Sequence, residues 1–301
     1  MRPAQEFTHS LAELVTMPEV YRGFRRLLAK PDSKIIDYAA VINKDPALAT
    51  RFIRIANSAF FGYIRKVDTL EQAVTLIGAM QVHDVLISSL AMRAFSGIPK
   101  EIVNLTEFWE SSVYCGIMSR LIAKKCMLPA SERFFTLGLF HDIGHIVMYA
   151  KRPKLARDVL IQSLVQDHPL YRVEREMFGF DYGEVGAELL NLWHLPQYYQ
   201  ETTQYHPEPQ KAQHYPLETA IVHLAYKITQ AEYGSIGASE KSMLVSPLAW
   251  KLSKLKENDI KPIRIKAKEN VEEVLTALWP LAEPPYERDS VKQSLLNLEG
   301  Y

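Results

Sequence analysis

The sequence predicts an all-α protein, and three observations carry that expectation. Apolar residues recur at helical spacing along nearly the whole chain. Alternating runs joined by Asn-Gly or Asp-Gly turns, the mark of β-hairpins, are missing. Prolines and short polar residues stand where helices would begin, at Asp45-Pro46, Pro153, Asp181 and Pro216.

Taken in order, the first helix opens near Thr8-His9-Ser10, carries Leu11, Leu14 and Val15, and is broken at Met17-Pro18. A second runs from Pro18 to about Ala29. Ser33 is placed as the cap of a third, bearing Ile35, Ile36, Ala39, Ala40 and Ile42. Asp45-Pro46 starts a fourth, with Leu48, Phe52, Ile53 and Ile55, which ends near Asn57-Ser58. Asp68 with Glu71 resembles a capping box for the next, which stops at Gly78. Another spans Ala79 to Phe95, and Gly97-Ile98-Pro99 marks a boundary. A long helix from about Thr106 to Lys125 follows, then one from Ser131 to Tyr149. Further helices are expected at 153–167, 169–178, 182–193, 196–204 and 216–231, with His206-Pro207-Glu208-Pro209 as a loop. In the tail, Ser246–Leu255 and Lys268–Leu278 have helical character, and 290–298 could form a last short helix. This divides the chain into an N-terminal helical half (1–100), a second helical bundle (101–235) and a helical C-terminal extension (236–301).

Composition narrows the function classes. Of 301 residues 48% are hydrophobic and 23% charged, as in ordinary globular proteins, and Lys+Arg equals Asp+Glu at 35 each. No global field draws in nucleic acid or membrane. The two cysteines, Cys115 and Cys126, would lie ~16 Å apart on one helix, too far for a bridge. With no apolar signal core at the N-terminus and no long apolar run, a cytoplasmic protein is expected.

Local chemistry concentrates in Leu137-Gly138-Leu139-Phe140-His141-Asp142-Ile143-Gly144-His145-Ile146-Val147. A histidine and an aspartate stand side by side in an apolar run. A buried polar group without a partner costs roughly 1–3 kcal/mol, and a charge costs more. Adjacent helical residues point ~100° apart, so the pair alone cannot form a metal site. His145, four residues after His141, and His206 are further candidates; His168, His194 and His223 lie elsewhere. His141-x-x-x-His145 lacks the glutamate of the zinc-protease motif.

These residues carry a family resemblance. Phe140-His141-Asp142-Ile143-Gly144 resembles the signature of the HD superfamily of metal-dependent phosphohydrolases. Asn43-Lys44-Asp45-Pro46-Ala47-Leu48, Ile55-Ala56-Asn57-Ser58-Ala59-Phe60-Phe61-Gly62 and Gln72-Ala73-Val74-x-x-Ile77-Gly78 resemble the N-terminal half of the HDOD domain. Phe178-Gly179-Phe180-Asp181-Tyr182-Gly183-Glu184-Val185-Gly186-Ala187 and Trp193-x-Leu195-Pro196 resemble its second half. The likeness runs from about residue 8 to about residue 230. It implies a helical N-terminal unit followed by an HD-like bundle.

The resemblance also implies a four-ligand metal site, of which the chain keeps two members. Ser111 follows Phe108-Trp109-Glu110 where the family's first histidine would stand. Tyr226 follows Val222-His223-Leu224-Ala225 where its distant aspartate would stand. Serine and tyrosine can each donate a hydroxyl to a carboxylate. Ser111 or Tyr226 is therefore expected to bond, directly or through water, to the His141–Asp142 pair, with no cofactor. The alternative is a rebuilt divalent-metal centre of His141, Asp142, His145 and His206. The first arrangement implies a non-catalytic interaction or output module in bacterial signal transduction. Its partners would be signalling proteins acting in trans, of cyclic-dinucleotide or two-component pathways. The second implies a phosphohydrolase or phosphodiesterase.

Other features have bland readings. Arg22, Arg25, Arg26 and Lys30, and again Lys151, Arg152, Lys154 and Arg157, read as solvated groups. Lys251, Lys254, Lys256, Lys261, Arg264, Lys266 and Lys268 form a basic stretch that could hold a ligand or partner. Without interleaved aromatics it is poorly suited to nucleic acid. Asn57-Ser58 reads as a helix cap bonded to nearby backbone.

Overall fold

The computed structural model describes residues 3–10, 17–58, 66–96, 98, 103–233 and 244–278, and these contain helices and no β-strand. The first half comprises α1 (Pro3–His9), α2 (Glu19–Leu28), α3 (Ile35–Ile42), α4 (Pro46–Ala56), α5 (Leu70–Ile77) and α6 (Ala79–Ala94). The second comprises α7 (Leu105–Lys125), α8 (Arg133–Leu139), α9 (Ile143–Lys151), α10 (Pro153–Gln166), α11 (Leu170–Phe178), α12 (Tyr182–Leu192), α13 (Gln197–Tyr205), a 3-10 turn at Pro209–Lys211, and α14 (Pro216–Tyr233). α15 (Pro247–Ser253) and α16 (Glu257–Leu278) complete the described chain.

Local chemistry sets most helix starts. Asp45 accepts the Leu48 amide at 3.1 Å and proline follows it, as expected. Asp181 accepts the Glu184 amide at 2.9 Å, and the Glu184 carboxylate accepts the Asp181 amide at 3.0 Å, a reciprocal box. Two expected caps move. Lys34, not Ser33, precedes α3, because the Ser33 hydroxyl donates instead to the Leu27 carbonyl at 2.7 Å. Thr69, not Asp68, caps α5: its hydroxyl accepts the Gln72 amide, while the Gln72 side chain accepts the Asp68 amide. Helix α1 lies upstream of its expected start, and Leu11, Leu14 and Val15 fall outside the described residues, as does 290–298. Asn57 holds the Val67 backbone from both sides, donating to its carbonyl and accepting from its amide at 2.7 Å each.

Helices α6 and α7 are the buried axis. α6 is covered continuously from Val82 to Met92, so its sequence shows little one-sided pattern. α7 carries α8 on one side and α14 and α16 on others. α16 is longer than expected, starting at Glu257 and running through Pro262. It buries Ile260, Ile263, Ala267, Val274 and Leu278 against α7, α4 and α6, and so touches both halves. Cys115 and Cys126 are free thiols. Among the described residues no single helix is long and apolar enough to cross a membrane.

Candidate functional site

The His141–Asp142 pair sits in a break between helices and not, as its apolar setting suggests, inside one. α8 ends at Leu139, and α9 starts at Ile143 with Asp142 as its flanking residue. Glycines let both helices press against neighbours. A Cβ on Gly144 would meet the Tyr182 carbonyl oxygen of α12 at 1.9 Å; one on Gly138 would meet the Cys115 carbonyl oxygen of α7 at 2.6 Å. The break places the Asp142 carboxylate at the positive end of α9.

Asp142 spends its charge on its own helix. Its Oδ1 accepts from Nδ1 of His145, one turn on, at 2.6 Å. Nε2 of His145 donates to Oε1 of Glu174 on α11 at 2.9 Å, and Oε2 of Glu174 accepts the Tyr182 backbone amide at 3.0 Å. The His145 ring is stacked between Tyr182, with centroids 3.9 Å apart, and Tyr149, at 5.2 Å. Burial alone would strip the proton from His145. The carboxylates of Asp142 and Glu174 outweigh it and raise the imidazole to about 10. Burial likewise opposes the charge on Asp142, but His145 holds its carboxyl down at about 2. The result is a buried carboxylate–imidazolium–carboxylate bridge with aromatic faces above and below the cation.

Two neutral histidines flank the bridge. His141 donates through Nδ1 to the Gly138 carbonyl at 2.7 Å. His206 donates through Nδ1 to the Thr203 carbonyl at 2.8 Å, so its Nε2 accepts from the Tyr182 hydroxyl at 3.0 Å. Burial lowers both, His206 well below the usual imidazole range. The Tyr226 ring packs 4.8 Å from His206 and 5.4 Å from His141, and its hydroxyl accepts from Gln230 at 2.6 Å.

The expected residues are therefore partly brought together. His141, Asp142, His145, His206 and Tyr226 share one cluster. The direct donor to Oδ1 of Asp142 is His145; of the two hydroxyls expected near the pair, that of Ser111 donates back to the Phe108 carbonyl at 2.9 Å and that of Tyr226 accepts from Gln230. The residues do not fit a divalent metal. Both ring nitrogens of His145 and both of His206 are engaged. Among the described residues no three His, Cys, Asp or Glu side chains converge to hold a metal ion. The basic stretch maps to α15, α16 and the turn between them, with Lys251, Lys254, Lys256, Lys261, Arg264, Lys266 and Lys268 exposed. Arg264 and Lys268 both turn back to Glu232 of α14.

Sequence reasoning gave no site role to Glu174, Tyr149 or Tyr182, which complete the bridge; Tyr182 lies inside the quoted motif Phe178–Ala187, whereas Glu174 and Tyr149 stand at positions without a local signal. It also missed a second buried cluster between the halves. Tyr199 of α13 donates to Oδ1 of Asp84 on α6 at 2.6 Å. The same oxygen faces Nδ1 of His83 at 3.1 Å, and Nε2 of His83 faces the Tyr21 hydroxyl at 3.3 Å. Its signal was there to read, a second His-Asp pair in an apolar helix.

Comparison with known proteins agrees with this architecture. The family model of the HDOD domain matches residues 14–209. An uncharacterized protein of Treponema pallidum (strain Nichols) is 23% identical over 207 residues; these are 67% of this chain but 39% of that protein, so the chain spans about two fifths of the relative's length. Among solved structures, a provisionally named phosphohydrolase of Shewanella amazonensis SB2B superposes with a TM-score of 0.69 at 22% identity, covering 91% of this chain and 98% of that one. An HDOD domain protein of unknown function from Geobacter sulfurreducens superposes with a TM-score of 0.67 at 20% identity, covering 92% and 98%. These likenesses support the fold, and the match over residues 14–209 supports the assignment: the chain belongs to the HDOD domain family.

Proposed function

We propose that the chain is a non-catalytic regulatory module of signal transduction that acts by binding other signalling proteins. One observation carries this reading. The carboxylate of the His-Asp pair is neutralised by a histidine of the same chain, held between Asp142 and Glu174. A protonated imidazole with both N–H groups in use offers no open coordination position, whereas metal-assisted hydrolysis needs one. The partners fitting this role are proteins of cyclic-dinucleotide or two-component pathways, meeting the module in trans.

A second reading, a metal-dependent phosphohydrolase or phosphodiesterase, has one structural argument. Among the described residues no hydrogen bond occupies Nε2 of His141 or Oδ2 of Asp142, two atoms of ligand type. Assays with Mn²⁺ or Mg²⁺ on nucleotides and cyclic di-GMP separate the readings. The regulatory reading expects no turnover above the blank and no stoichiometric metal after dialysis. Turnover that His141→Ala abolishes would establish the enzyme instead. Affinity capture with identification of the bound proteins then tests the partner class, with the expectation of proteins from those two pathways.

A further inference from the structure

The basic stretch of residues 251–268 does not act as one surface. Arg264 and Lys268 turn to Glu232, whereas Lys251, Lys254 and Lys256 meet lysines from another part of the chain. The Cys126 thiol, at the end of α7, donates to the Ser253 carbonyl of α15 at 3.3 Å. Nζ of Lys125 lies 3.5 Å from Oδ1 of Asp259, and Oδ2 of the same carboxylate accepts the Lys256 amide at 2.9 Å. These contacts join the end of α7 to the turn between α15 and α16. Lys124, Lys125, Lys251, Lys254 and Lys256 therefore stand exposed on adjoining segments. Asp259 partly offsets this charge, and Glu132 lies within electrostatic reach of Lys124. Among the described residues, Lys251 and Lys254 enter no ion pair.

Part of this charge answers the negative helix ends it decorates, since Lys124 and Lys125 lie in the last turn of α7 and Lys251 in that of α15. That does not account for Met127. It follows α7 directly, holds a left-handed backbone at φ 55°, and is 89% exposed, more than any other large hydrophobic residue described. An apolar side chain projecting among lysines matches an anionic bilayer: the headgroups attract the ammonium groups, and the boundary beneath them takes the thioether. Protein interfaces favour aromatic residues and arginine and are depleted in lysine. The exposed side chains of residues 124–130 and 251–258 include five lysines and neither an aromatic residue nor an arginine. With Lys+Arg and Asp+Glu balanced over the whole chain, the attraction is local and reaches about one Debye length.

We propose that this patch binds the surface of an anionic lipid bilayer, with Met127 entering the headgroup boundary and the surrounding lysines resting on the headgroups. Sedimentation of the full chain with vesicles of equal parts phosphatidylcholine and phosphatidylglycerol, and with vesicles of phosphatidylcholine alone, tests it. Binding is expected to the first kind only. Raising the salt to about 1 M should release it, because screening then confines the attraction to ~3 Å. Lys251→Gln combined with Lys254→Gln should weaken binding about twentyfold or more, since each lysine near an anionic surface is worth about fivefold. Met127→Asn keeps a residue that accepts the left-handed backbone and should weaken binding severalfold. Lys154→Gln combined with Arg157→Gln removes the same charge from α10 and should leave binding unchanged. All five substituted residues are exposed, and circular dichroism checks that each variant folds. Four results would overturn the proposal: no binding to the anionic vesicles, which is what a patch serving an acidic protein would give; equal binding to both kinds of vesicle; affinity unchanged in either patch variant; or an equal loss in the α10 variant. No residue of the patch belongs to the His145 bridge, so each reading can fail without the other.

Discussion

Replacing His145 by glutamine tests the internal cation directly. The variant keeps a side chain of similar reach but leaves Asp142 and Glu174 facing a neutral group. Two estimates of the cost agree. Breaking a buried charge pair by removing one partner costs about 3–5 kcal/mol. A histidine raised from its ordinary 6.5 to about 10 contributes ~5 kcal/mol at most, since each pKa unit is worth ~1.4 kcal/mol. The pH dependence has a definite sign. The folded-state pKa of His145 is raised, so its contribution is complete below about 6.5 and is lost as pH rises through about 10. The Asp142 pKa is depressed, so its contribution is complete above about 3.9 and is lost as pH falls towards 2. The stability gap between wild type and His145→Gln should therefore be widest between about pH 4.5 and 6.5 and narrow on both sides. Urea unfolding followed by circular dichroism measures it. A gap below about 1 kcal/mol at pH 6, or one unchanged from pH 6 to about 10.5, would refute the bridge.

Other substitutions probe the surrounding architecture. Gly144→Ala places a methyl 1.9 Å from the Tyr182 carbonyl oxygen, so α9 and α12 must separate; a loss of about 3 kcal/mol or more in the same unfolding assay is expected. Tyr199→Phe removes the 2.6 Å donor to buried Asp84 and should cost about 1–3 kcal/mol. Ser111→Ala should stay within about 0.5 kcal/mol, because its hydroxyl only returns to a carbonyl of its own helix.

Much of this molecule was legible because helix starts are local events. Asp45-Pro46 and Asp181 with Glu184 announce themselves within four residues, and the structure uses them as written. The break at Phe140–Asp142 was not legible. The apolar spacing continues across it, and what turns the chain is packing of α8 on α7 and of α9 on α12. The first half of α16 was hidden by Pro262 and a basic surface, which masked the buried positions Ile260 and Ile263. At the site, His141, Asp142, His145, His206 and Tyr226 could all be named as residues of interest. Their arrangement could not, since it depends on Glu174, 29 positions after His145 and on a different helix. The identity of the partner for Asp142 was thus a tertiary fact, even though the need for one was evident from the chain.

The placement of α16 bears on where a folding unit ends. The family match stops at residue 209, yet α7 and parts of α4 and α6 are roofed by residues 257–278, and the Ser89 hydroxyl reaches the Leu278 carbonyl at 3.4 Å. A fragment trimmed to the matched residues would bare leucine, isoleucine and valine surface on both halves at once. Such a fragment should self-associate rather than behave as a monomer, while a version reaching residue 278 keeps that surface covered. The family match marks where the chain is recognised; the helices that cover its buried surface continue to residue 278.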